Sequence, residues 1–170
     1  MKALKLHALA TAAALAAGFA FASPPALAAG PATATEHDHA AAAPAALALN
    51  QGRKWVTDKP LRAGMSQIRT LTGQKLDAAH QGKLTPAQYA ALAGQIETEV
   101  GGIVANCKLE PKADAMLHLV IGEIASGTEA MAGKAAGQRP EQGLAQVANA
   151  VNHYGQYFDH PKFKPLQVGH

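Results

Sequence analysis

One cysteine, Cys107, occurs in 170 residues. A lone thiol cannot close an internal disulfide, so the chain is not a disulfide-stapled scaffold. Aromatic residues make up only 5% of the chain, and no basic stripe interleaves with them. Nucleic-acid binding therefore has no footprint. The common catalytic signatures are missing as well. There is no G-x-S-x-G, no phosphate-binding P-loop and no H-E-x-x-H. Without C-x-x-C-H, covalent c-type haem is excluded. The carboxylates are scattered, and no acid/base pair stands out. These absences lead us to expect a protein that is not an enzyme.

What is present begins with a leader. Lys2 and Lys5 precede an apolar run of 15 residues, Ala8 to Ala22, and Ala26-Leu27-Ala28 then places small residues where a signal peptidase reads. That order is a secretory signal over residues 1–28. The run is short for a membrane span of about 20 residues, and no later run approaches that length. Removing the leader takes Lys2 and Lys5 with it, so 13 Lys and Arg remain against 12 Asp and Glu. The basic balance of the precursor is thus largely lost, and a periplasmic or secreted protein without a membrane span is expected.

Residues 29–48 are rich in Ala, Pro, Thr and Gly, lack aromatics and show no periodicity. Such a segment cannot bury enough apolar area to offset its ordering entropy and reads as a disordered linker. Within it, His37 and His39 beside Glu36 and Asp38 form a weak metal-binding tail.

Residues 49–165 carry four helical patterns. Asp58 with Pro60 caps the first, whose stripe is Leu61, Met65, Ile68 and Leu71 or Thr72. Thr85-Pro86-Ala87-Gln88 opens the second, with Tyr89, Leu92, Ile96, Val100, Ile103, Val104 and Cys107 on one side. Pro111 starts the third, striped by Ala113, Leu117, Val120, Ile124 and Met131. Pro140 starts the fourth, striped by Leu144, Val147, Val151, Tyr154 and Phe158, and His160-Pro161 stops it. Residues 166–170 form a tail. Short links and no strand signal predict an all-α, up-down-up-down four-helix bundle. Its core is rich in Ala and Gly and lean in large side chains, so helices can approach closely.

Bundle geometry brings three candidate ligands to one level. Met65 lies seven residues after Asp58, His118 seven after Pro111, and His153 seven before His160. Met65, Cys107 and His118 are soft or borderline donors that suit copper. Met65 and His153 are an alternative pair for non-covalent haem. On the helical wheel Met65 faces inward, His118 flanks its stripe, and His153 lies nearly opposite Val151 and Phe158. A bundle without ligand, binding a partner protein through exposed Trp55, Tyr157 and Phe163, is the third reading. His160 is explained as a favourable charge at a helix C-terminus.

Over Leu49 to Met65, Asn106 to His118, and Tyr154-Gly155-Gln156-Tyr157-Phe158-Asp159-His160-Pro161, the sequence resembles small exported proteobacterial proteins labelled DnrO-like. The resemblance covers most of the chain after the leader and implies export without implying an activity. The order of an early Met and a late His also looks like b-type four-helix-bundle cytochromes. That likeness implies Met65 and His153 as axial haem ligands.

Overall fold

Each helix carries a proline at its first or second position, where a fixed φ and a missing N–H suit the first helical turn. The structure, a computed structural model, describes residues 46–168. The expected leader, the linker up to residue 45, His37 and His39 lie outside the described residues. The helices are α1 (Lys59–His80), α2 (Pro86–Asn106), α3 (Pro111–Met131) and α4 (Pro140–Tyr157). Among the described residues there is no strand, and the fold is all-α. No helix among them is long and apolar enough to cross a membrane.

The ends follow local chemistry. Asp58 accepts the Leu61 N–H at 2.9 Å, capping α1. Its second oxygen accepts the Lys108 N–H at 2.6 Å, which ties the α2–α3 link to the start of α1. Thr85 and Gln88 form a reciprocal capping box at α2. Just beyond the end of helix α1, Gly82 takes φ of 63° and the Lys83 N–H reaches back to the Ala78 carbonyl.

The helices pack as a bundle. Helix α3 packs extensively on α4, α1 on α2, α2 on α3 and α1 on α4. The backbones of helices α1 and α3 stay apart, while α2 approaches α4 across the shorter diagonal. Direction follows from individual contacts. Gly64, early in α1, lies against Ile103, late in α2. Gly143, early in α4, lies against Met131, the end of α3. Trp55, just before α1, pairs by backbone with the end of α4. Neighbouring helices are therefore antiparallel, in up-down-up-down order.

The buried stripes match the predicted ones closely, including Leu61, Met65, Ile68, Ile96, Leu117, Ile124, Val147 and Tyr154. Helix α2 departs from its pattern near its end. Val104 is 58% exposed, because Ile103 alone takes the inward position under Gly64. Cys107, expected on the buried stripe, is the C-cap residue and only half-buried. Trp55 is buried rather than exposed, with its indole N–H donating to the Ala48 carbonyl at 2.7 Å. Tyr157 and Phe163 are partly buried against the core. The three aromatics expected to form an open surface are thus seated instead.

Candidate functional site

After α4 the chain doubles back along the groove between α1 and α4. Small residues make room for it. A Cβ on Gly155 would come within 2.9 Å of the Phe163 ring, and one on Gly73 within 3.0 Å of Leu166. Asn152 of α4 accepts the Leu166 N–H at 2.7 Å and donates to its carbonyl at 3.0 Å. Leu166, the first residue of the expected tail, is consequently buried. Arg69 of α1 donates its Nε–H to the Lys164 carbonyl, leaving the outer guanidinium N–H groups uncommitted to that bond.

This strap turns sharply at His160-Pro161-Lys162-Phe163, where the Phe163 N–H donates to the His160 carbonyl at 3.1 Å. Lys162 takes φ of 65°. Proline followed by a left-handed residue is the type II pattern, whose third position favours glycine. A lysine there costs roughly 1 kcal/mol or more of backbone strain. It keeps a cation where the backbone would favour none.

Between α1 and the strap lies a cleft of about 260 Å³, lined by Ser66, Arg69, Thr70, His160, Lys162 and Lys164, among others. Among the described residues no carboxylate pairs with Arg69, Lys162 or Lys164. His160 is one of the lining residues. Its Nδ1 meets the Tyr154 hydroxyl at 3.0 Å and its Nε2 faces the Ser66 hydroxyl at 3.4 Å. Its ring also lies against Phe163, with centroids 4.8 Å apart. Burial lowers the His160 pKa below its ordinary 6.5, and the Arg62 charge adds to this against an opposing effect of Asp159. Burial holds the Tyr154 phenol far above its usual range, so it stays protonated.

Those two facts set the tautomer. Tyr154 has no other hydrogen-bond partner among the described residues, so its buried hydroxyl donates to Nδ1. The ring proton then resides on Nε2 and points toward Ser66. An imidazole protonated there cannot accept the serine proton, so the Ser66–His160 contact does not build a nucleophile. The cleft offers donors and positive charge instead.

The sequence-derived ligand candidates stand on different helices. Met65 is fully buried on α1. His118 lies on α3, with 63% of its side chain exposed and paired to Asp114 at 3.4 Å. Cys107 closes α2, and burial, then Asp58 and Asp114, raise its pKa. His153 bonds Glu123 of α3 at 2.7 Å, with 41% of its side chain exposed, while Met65 is enclosed by the core. No group of three His, Cys, Asp or Glu side chains converges among the described residues. We expect copper(I), titrated against a competing chelator, to bind the parent and a Cys107→Ala, His118→Ala variant equally. Tighter binding by the parent, by about tenfold or more, would restore the copper reading.

The sequence hid this cleft because its members come from distant segments, Arg69 and Lys164 lying 95 residues apart. The one local signal is Pro161-Lys162, a turn-forming pair with a lysine in the glycine-favouring position. No protein-family model, curated protein or solved structure matches the chain.

Proposed function

We propose that this chain is an exported, non-catalytic helical binding protein that holds a small tetrahedral oxyanion, such as phosphate or sulfate, between α1 and the strap. The observation carrying the proposal is the convergence of Arg69, Lys162 and Lys164, none with a carboxylate partner among the described residues, on one cleft. Ser66 and the Nε2–H of neutral His160 supply further donors, while the Thr70 hydroxyl donates to the Ser66 carbonyl at 2.9 Å. Arginine reads a planar pair of oxyanion oxygens through its guanidinium fork, and lysines add charge without strict geometry. The leader of residues 1–28 supports the export element. A periplasmic or secreted location agrees with a bundle that carries its ligand rather than transforms it.

Phosphate titration at low ionic strength, followed by amide chemical shifts, tests this reading. Shifts should concentrate at Ser66, Arg69, His160 and Lys162 to Lys164 and weaken with added salt. Lys162→Gly together with Lys164→Gln should lower affinity about tenfold, the effect of losing roughly 1.4 kcal/mol. The glycine change separates binding from folding. It removes a cation yet relieves the left-handed strain, so stability should hold or rise by up to about 1 kcal/mol. Unchanged phosphate affinity in this stable variant would overturn the proposal.

A further inference from the structure

The opposite end of the bundle contains a larger depression with different chemistry. Its origin lies in the helix spacing. Gly127 and Gly143 place α3 and α4 in backbone contact, since a Cβ on Gly143 would lie 2.5 Å from the Gly127 carbonyl oxygen. Helix α4 is thereby drawn onto α3 at this end, and α2 meets α4 only sparsely. Between the end of α1 and the starts of α2 and α4 remains a hollow of about 580 Å³. That size falls within the range of small-molecule pockets.

Its walls are mixed. Leu76, Leu84 and Leu144 are apolar, with Leu76 and Leu144 buried. Tyr89 is a buried residue whose hydroxyl makes no hydrogen bond to the described protein. Glu141 adds a carboxylate, joined through one oxygen to the Arg139 guanidinium at 3.2 Å. His80 stands exposed at the rim. The Tyr89 phenol is raised by burial and then by the Glu141 charge, so the carboxylate field reaches the phenol. A phenol oxygen and a carboxylate can both accept from one ammonium, and the ring face attracts the same cation.

We infer that this hollow is a second binding site, for a small amphipathic amine whose apolar body lies on Leu76, Leu84 and Leu144 and whose ammonium meets Glu141 and Tyr89. It shares no lining residue with the oxyanion cleft, and neither reading depends on the other. The probe is 2-phenylethylamine as its cation, titrated into the full bundle with amide chemical shifts recorded. 3-Phenylpropionate serves as the anionic counterpart of similar shape. The amine should shift Ala79, Tyr89, Glu141 and Ala145, with weak affinity in keeping with its few heavy atoms. Glu141→Gln should weaken it about fivefold, and Ala145→Phe, which fills the hollow, should abolish the shifts. Should Ala145→Phe fail to fold, Glu141→Gln alone decides, because a surface carboxylate change leaves the core intact. Binding of the two probes with equal affinity, no loss in Glu141→Gln, or no shifts at about 20 mM amine would each overturn the inference.

Discussion

Gly143→Ala is expected to destabilise the protein by about 2 kcal/mol, although alanine is the better helix former by roughly 1 kcal/mol. The new methyl would lie 2.5 Å from the Gly127 carbonyl oxygen and 2.7 Å from the Met131 backbone nitrogen. Both neighbours are backbone and cannot rotate away, so α3 and α4 must separate along their shared face. Overpacking of this kind costs about 1–3 kcal/mol, which outweighs the gain in propensity. Gly94→Ala reverses the sign. It lies within α2, where a Cβ meets nothing within 4 Å, so only the propensity gain of about 0.8–1 kcal/mol remains. Urea unfolding of the two single variants measures both values. Equal shifts in the same direction would refute the close α3–α4 approach. The hollow at this end follows from the same approach, so Gly143→Ala should also reshape the proposed amine site.

The bundle was legible because its signals are local. Asp58 before Leu61 and Thr85 before Gln88 each specify a helix start within one turn, and the structure uses both side chains as caps. The inward stripes follow from helical period alone. What period cannot report is where a long amphipathic side chain finally lies. Trp55 and Phe163 sit outside the helices and read as exposed, yet each is seated on α4 or its end. His160 illustrates the same limit. Its position after α4 suggested a helix-end charge, whereas burial favours its neutral form and Tyr154 fixes its tautomer. The strap exists only because Gly73, Gly155 and Asn152, on two different helices, receive it. None of those three residues announces a site within its own segment. The level assigned to Met65, His118 and His153 is likewise silent on which way each side chain points. Equal height along a bundle axis does not make side chains converge, and Glu123, rather than Met65, is what His153 meets.

Tyr154 should make the folded state increasingly unstable in alkali. In the unfolded chain its phenol titrates near the ordinary value of 10.0, while burial raises it strongly in the folded protein. The stability linked to the protonated phenol is therefore complete below pH 10 and is lost as pH rises through and above it. Over that window the folded state holds a proton that the unfolded chain has released. Each pH unit removes about 1.4 kcal/mol, or roughly 2 kcal/mol by about pH 11.5. Tyr154→Phe removes this titration and also removes the donor to His160 Nδ1. It should be less stable at neutral pH by about 1 kcal/mol, the net value of one hydrogen bond, and then decline more slowly than the parent above pH 10. Denaturant unfolding of both proteins across that range gives two stability curves that converge above pH 10 and cross before about pH 11.5. Parallel curves would show that the phenol ionises with equal ease in the folded state. The buried hydroxyl that sets the His160 tautomer, and with it the donor character of the oxyanion cleft, would then be wrongly placed.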